Sequence, residues 1–317
     1  MTLHDVLSIQ THSGEEWRMF AFIIRELKRQ GVHYTTDESG NIYAQKGTAD
    51  NYPCIVAHMD SVHPLVGGYE LIQRGDYITA FDSHTMRQTG IGGDDKCGVY
   101  IALRCMAELP ACKVAFFVDE ERGCVGSGQA EMSFFNDCRY VLQADRRGNS
   151  DFITTASGVK LSSRKFQKAL RPILPMYGYK PTTGMMTDVM ALKQNGLNVS
   201  CANFSCGYHR PHSADECVCI SEVERCLDLF LTICTQLTEV YGHNYEAPVY
   251  SYSGAEVDSW SKGWTNYTPK AEMYATSKVV DSHAGYCDNC MSYQKQVTWS
   301  RYWYAYLCDS CEASYKF

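Results

Sequence analysis

Five short motifs, met in order through the first two-thirds of the chain, carry residue types that hold divalent cations and move protons. They read His58-Met59-Asp60-Ser61-Val62, Gly93-Asp94-Asp95-Lys96, Asp119-Glu120-Glu121-Arg122-Gly123, Ala144-Asp145 and Pro211-His212-Ser213-Ala214-Asp215-Glu216. Most stand where an apolar run ends, the point at which a buried strand delivers a side chain to a shared cleft. Together they supply two imidazoles, three carboxylates and a spare glutamate, a set suited to two zinc ions and a general base.

His58 and Asp60 are two apart, so on an extended strand both side chains face the same way. That spacing lets His58 bind a metal while Asp60 accepts the other imidazole N–H and sets the tautomer. Asp94 and Asp95 follow Ile91-Gly92-Gly93, which suits a tight turn in which one carboxylate bridges two cations about 3.5–4 Å apart. The other reading is a helix N-cap, and the pair can divide the two roles. Asp119-Glu120-Glu121 crowds three acids at the mouth of a strand, where they repel unless a cation or proton offsets them. The simplest assignment gives Glu121 to the metal and leaves Glu120 as the base for an activated water. Asp145 ends another apolar run and is placed to be a terminal ligand. His209 and His212 flank Arg210-Pro211, and one of the two is expected to be the second imidazole.

Each motif needs an element to aim it. Residues 15–29 read as an amphipathic helix, with Trp17, Phe20, Ile24 and Leu27 on one stripe and Gly31 near its end. Residues 32–47 read as a hairpin turning at Glu38-Ser39-Gly40-Asn41. Short apolar strands are expected at 54–57, 113–118, 140–144 and 199–204, and helices at 97–109, 187–195 and 221–241. This alternation predicts an α/β fold, a mixed sheet flanked by helices on both faces. Its expected extent is residues 1–242.

The character changes beyond Tyr241: twelve of the 22 tyrosines fall in the last 77 residues, where periodicity is poor. Residues 243–282 therefore read as an irregular, aromatic-rich wrapping segment. Residues 283–317 carry Cys287-Asp288-Asn289-Cys290 and Cys308-Asp309-Ser310-Cys311, a CxxC-x17-CxxC spacing. Four thiolates so arranged suit one tetrahedral structural zinc in a zinc ribbon, and a segment this short has little core without a metal. Lys295, Arg301 and Lys316 are few for a phosphate-binding face, and the formal charge of −7 argues against a nucleic-acid binder. No apolar run approaches the roughly 20 residues that span a bilayer, so no membrane partner is expected. The N-terminus lacks a basic stretch followed by an apolar block, and the twelve scattered cysteines read as reduced, buried thiols. The expected compartment is the cytoplasm; oligomer formation stays open.

The motifs resemble those of the co-catalytic dizinc peptidases, the clan that holds tripeptidase (peptidase T), carboxypeptidase G and the acylamino-acid deacylases. His58-Met59-Asp60-Ser61-Val62 is similar to that family's first motif, and Gly92-Gly93-Asp94-Asp95-Lys96-Cys97-Gly98 to its bridging-aspartate motif. Asp119-Glu120-Glu121-Arg122-Gly123 resembles the base-plus-ligand motif, and Ala144-Asp145 the next ligand. His212-Ser213-Ala214-Asp215-Glu216 resembles the closing H-S/T-P-D-E, with Ala214 where the family has proline. The HMD and GDDK forms together are nearest the peptidase T branch. The resemblance covers residues 1–242 and implies the zinc-dependent exopeptidase fold. It also implies that His58 and Asp145 hold one zinc and Glu121 and His212 the other. Asp94 would bridge them through a cis peptide to Asp95, with Asp60 orienting His58 and Glu120 as the base. Thr187-Asp188 resembles the family's G-T-D segment, with Met185-Met186 in place of small residues.

One departure is large. The family inserts a lid or dimerisation domain between the positions of Asp145 and His212, whereas only residues 146–184 separate Asp145 from Met185 here. These are too few for such a domain. Contacts to the substrate's ends must come from elsewhere, and His209, Arg210 and Arg146 are the candidates, with Tyr208 and Arg147 beside them. The expected activity is that of a lidless dizinc metallopeptidase, an aminopeptidase for short peptides. An amidohydrolase, deacylase or carboxypeptidase acting on an N-acyl or aminoacyl small molecule is the alternative. A non-catalytic binding module with a zinc ribbon is disfavoured, because all five ligands and the base are present.

Overall fold

The computed structural model describes residues 1–247 and three strands further on, 282–286, 293–300 and 305–307. The chain divides into two compact units, Met1–Pro248 and Val249–Phe317. The first opens with α1 (Leu3–Leu7), capped by the Thr2 hydroxyl, and α2 (Trp17–Arg29). As the spacing predicts, α2 buries Phe20, Ile23, Ile24 and Leu27 on one face. The expected hairpin is β1 (His33–Thr36) against β2 (Ile42–Lys46). Asp37 holds its turn by accepting from the Ser39 and Asn41 amides, each at 3.0 Å.

The chain continues through β3 (Tyr52–His58), β4 (Tyr69–Arg74), β5 (Tyr77–Asp82), β6 (Arg87–Thr89), α3 (Gly93–Glu108) and β7 (Cys112–Phe117). Then come α4 (Val125–Gly128), β8 (Cys138–Arg146), β9 (Asp151–Ala156), β10 (Val159–Lys160), α5 (Arg164–Leu170) and β11 (Lys180–Gly184). The unit closes with α6 (Asp188–Gln194), β12 (Cys201–Ser205), β13 (Tyr208–His209), β14 (Cys217–Cys219) and α7 (Ile220–Gln236).

Nine strands form one mixed sheet in the order β1-β2-β7-β3-β8-β12-β9-β10, with β11 alongside β9. Its centre, β7-β3-β8-β12, is parallel, so these strands end at one edge. Every residue of β3 and β7 is buried, as a sheet covered on both faces demands. Cys54, Val56, Ala115, Phe117 and Val141 pack in one core with Val189, Met190 and Leu192 of α6. The alternate residues Ile55, Ala57, Val114, Phe116 and Leu142 are equally buried and face the other way. There α3 lies on β3 and β8, with α7 against α3.

Residues 146–184 fold as β9, β10, α5 and β11, with a short 3-10 turn at Leu174–Tyr177, and extend this sheet. A second, five-stranded sheet, β13-β14-β5-β4 with β6 on β5, was not legible in the sequence. Its strands are short and half-exposed, so no apolar run marks them.

The last helix stops at Gln236, five residues short of the expected Tyr241. Beyond it the backbone is claimed by strand partners instead. Tyr241 N donates to Arg139 O at 2.9 Å, and Tyr241 O accepts from Ser200 N at 2.7 Å. All twelve described cysteines are unbonded thiols, and eleven are buried. The second unit contains β15 (Ser282–Tyr286), β16 (Tyr293–Ser300) and β17 (Ala305–Leu307), an antiparallel three-stranded sheet. Cys287, Cys290, Cys308 and Cys311 lie outside the described residues, as do residues 248–281. Among the described residues no helix is long and apolar enough to cross a membrane.

One buried cation anchors the end of the first unit. Lys193, fully buried on α6, donates to the carbonyls of Leu197 (2.9 Å), Val199 (2.5 Å) and His243 (2.7 Å). Lys193→Met leaves three carbonyls without that donor and should destabilise the unit by about 2–4 kcal/mol, read as a lower urea midpoint. An unchanged midpoint would mean that water replaces the ammonium at no cost.

Candidate metal centre

Parallel register brings the acidic motifs together. His58, the last residue of β3, stands opposite Phe117 of β7, and Val56 stands opposite Gln143 of β8. Two residues on from that pairing, Asp145 comes level with His58 at the carboxyl edge, where open α/β sheets place their sites. Past Phe117 the chain turns sharply: Asp119 has φ +51°, and Gly123 N and Cys124 N close on Glu120 O at 2.8 and 2.7 Å.

Asp60 positions both this turn and the histidine. Its Oδ1 and Oδ2 accept the Glu120 and Glu121 amides at 2.9 and 3.2 Å, and Ser13 Oγ donates to Oδ2 at 2.8 Å. Asp60 Oδ1 also lies 3.2 Å from His58 Nδ1, although not in line for a straight hydrogen bond. Burial pushes the Asp60 carboxyl up, but His58, Ser13 and the Glu120 amide outweigh it and hold it below its ordinary value.

The paired aspartates do divide their roles. The Asp94–Asp95 peptide is cis. Asp94 presents Oδ1 to His58 Nε2 at 3.2 Å and Oδ2 to His212 Nε2 at 3.4 Å. Asp95 turns inward, accepting from His58 N at 3.2 Å and from Gly98 N at 3.0 Å in the first turn of α3. Asp145 Oδ1 lies 3.6 Å from His58 Nε2, and Glu121 Oε1 lies 3.1 Å from His212 Nε2. Two trios result, His58-Asp94-Asp145 and Asp94-Glu121-His212, each with ligand atoms within 4.8 Å of one another. Glu120 reaches the same centre, its Oε2 being 3.9 Å from His58 Nε2.

Of the two candidate imidazoles, His212 belongs to this centre. His209 points elsewhere, to Glu222 Oε2 at 2.6 Å. Arg146, His209 and Arg210 gather instead in an adjoining polar cavity with Arg147 and Asn149. Tyr208 connects the two places, its hydroxyl donating to Asp145 Oδ1 at 3.3 Å.

Sequence reasoning gave Glu216 no role, yet it is fully buried beneath Asp94. It accepts from Gly92 N at 2.8 Å, Asp94 N at 3.1 Å and His63 Nε2 at 2.6 Å. The available signal was an acid four residues past His212 that leads into an apolar strand. Asn203 on β12 was missed as well; it brackets Asp145, accepting from its amide at 2.9 Å and donating to its carbonyl at 2.7 Å.

The electrostatics fit a cation pair. Burial raises Asp145 to about 8 and Glu121 to about 7, and the charge of Asp94 adds to both. Glu120 is held well above its ordinary value, first by burial and then by Asp188 and Asp145. His212 is raised to about 9, first by its contact with Asp94. Asp94 moves the other way: burial pushes it up, but His212 and His58 outweigh that effect. Glu121 Oε1 is buried and takes no hydrogen bond, an orphan oxygen facing an imidazole nitrogen. Carboxylates and imidazoles in this arrangement are the oxygen and nitrogen donors that zinc accepts.

Searches of protein-family models and of curated proteins give no match to this chain. Solved structures do match in fold. Aminopeptidase PepT from Bacillus cereus superposes with a TM-score of 0.62 at 14% identity, over 74% of this chain and 96% of that one. A tripeptidase from Staphylococcus aureus gives 0.60 at 12% identity, over 74% and 97%. An aminopeptidase from the archaeon Desulfurococcus kamchatkensis gives 0.62 at 15% identity, over 74% and 94%. The chain therefore has the fold of these peptidases, a mixed sheet with helices on both faces.

Two outcomes are expected. A divalent metal such as zinc that binds these trios would displace the protons that Asp145, Glu121 and His212 hold, so its affinity should fall as pH drops from 9 through 7, with proton release on binding. Calorimetry in buffers of different ionisation enthalpy reads both quantities; an affinity flat from pH 6 to 9 would refute the competition. Glu216→Ala should weaken metal affinity about 10–100-fold in a chelator competition, because Asp94 loses the acceptor that seats its backbone. A change of less than about twofold would show that Asp94 is seated without it.

Proposed function

We propose that this chain is a metal-dependent hydrolase of peptide bonds, an aminopeptidase acting on short peptides with Glu120 as its general base. One observation carries the reading: Asp94 is shared between two ligand trios, Oδ1 facing His58 and Oδ2 facing His212. In this assignment His58, Asp94 and Asp145 hold one zinc, and Asp94, Glu121 and His212 hold the other. When bound, such a pair polarises the scissile carbonyl and acidifies the attacking water.

The protein's own groups then handle the proton. Cys124 Sγ occupies Glu120 Oε1 at 3.3 Å, which leaves Oε2 as the oxygen turned toward the centre. Oε2 takes the proton from the water and returns it to the leaving nitrogen. Asp60 keeps Glu120, Glu121 and His58 in register through the contacts described above. Arg146, His209 and Arg210 are the proposed substrate contacts, and the fold shared with PepT and the tripeptidase supports a peptide as substrate. Cys287, Cys290, Cys308 and Cys311 are proposed to hold a third, structural zinc.

Glu120→Gln should lower kcat on tripeptides by about 10²–10⁴-fold with metal content unchanged; full activity in that variant would sink the proposed mechanism. Hydrolysis of free tripeptides but not of N-acyl amino acids is expected, and the reverse preference would identify a deacylase. Mass spectrometry should count about three zinc ions per chain, two of them removed by mild chelation together with activity.

A further inference from the structure

A second cavity is built by residues that adjoin the proposed ligands in sequence. The chain runs Arg146-Arg147-Gly148-Asn149 directly after Asp145, and His209-Arg210 directly after Tyr208. Backbone bonds lace these runs together: Cys206 N donates to Arg146 O at 2.9 Å, Gly207 N to Gly148 O at 2.8 Å and Gly148 N to Tyr208 O at 2.8 Å. A cavity opens there, lined by Arg146, Arg147, Asn149, Ser150, His209 and Arg210 among others.

Its charge is unbalanced. Arg146 Nε lies 3.2 Å from Asp151 Oδ2, and His209 Nε2 lies 2.6 Å from Glu222 Oε2. Arg147 and Arg210 have no carboxylate partner among the described residues, in a chain whose net charge is −7. Two uncommitted guanidiniums in one concave site suit an anion with paired oxygens, which a guanidinium fork binds at two points.

We propose that this cavity seats a carboxylate of the substrate; the proposal rests on the reading of the neighbouring cleft as a peptidase site. Arg146 is one residue from Asp145, and Arg210 is two from His212, so the seat begins within about 4–8 Å of ligand backbone. An extended peptide advances about 3.3 Å per residue. A carboxylate one or two residues from the scissile bond therefore reaches the guanidiniums while the bond lies at the metal ligands. Two sources meet that requirement: the C-terminus of a di- or tripeptide, or an acidic side chain in a longer one.

Zinc-loaded Glu120→Gln protein provides the test, because binding is then read without turnover. By calorimetry, trialanine should bind at least about tenfold tighter than trialanine amide. Adding Arg147→Ala and Arg210→Ala should bring that ratio close to one. A tripeptide amide with aspartate as its third residue separates the sources: tight binding assigns the seat to an acidic side chain, weak binding to the C-terminus. Equal affinity of acid and amide in the parent, or a ratio that survives the double substitution, overturns the seat. Turnover with Glu120 intact is scored separately, since acid-selective binding with no cleavage of any peptide would defeat the peptidase reading alone.

Discussion

Like charges held together away from water are the constraint from which this site follows. Asp94, Glu120, Glu121 and Asp145 have side chains only 12, 12, 8 and 9% exposed, and two imidazoles face them. Burial and mutual repulsion both favour the protonated acids, so the cleft needs compensating positive charge. Part comes from His58 and His212. The proposed pair of divalent cations would supply what is left over, at the two positions that the His58-Asp94-Asp145 and Asp94-Glu121-His212 trios surround.

The carboxylates stay aimed because others, not counted among the ligands, spend their lone pairs on backbone. Asp60 accepts the amides of Glu120 and Glu121, Asp95 those of His58 and Gly98, and Glu216 those of Gly92 and Asp94. Each such acid fixes the peptide that carries a proposed ligand or the proposed base. Gly93 has no room for a side chain: a Cβ there would come within 2.7 Å of Val218 and 2.8 Å of Tyr208. The segment bearing Asp94 is thus pinned between the large sheet and the short strands of the small one.

That small sheet also adjoins the candidate site. Residues 206–219 leave β12, pair with residues 146–148, then deliver His212 and Glu216 before β14. One excursion of chain therefore supplies a ligand, the clamp beneath Asp94 and one wall of the arginine cavity. Residues 146–151 supply most of its remaining lining, and the strands between 151 and 184 extend the large sheet. The surroundings of the candidate site in this unit are built from the two sheets themselves.

The central strands, the amphipathic α2 and the β1–β2 hairpin were legible because apolar runs, a 3.6-residue stripe and a turn-forming Asp37-to-Asn41 segment are local signals. The small sheet was not, since its short, half-exposed strands owe their pairing to distant partners. The residue types of the site and their order were likewise legible in the sequence, although acids in such motifs also seat backbone amides, as Asp60, Asp95 and Glu216 do here. Which imidazole faces the centre and which aspartate bridges were implied by the motif resemblance and not by residue type; that Asp95 accepts the His58 and Gly98 amides and that Glu216 meets His63 across 153 residues were decided only in three dimensions. A side chain's direction at a strand's end reverses with a shift of one residue, and that register is set by the neighbouring strands.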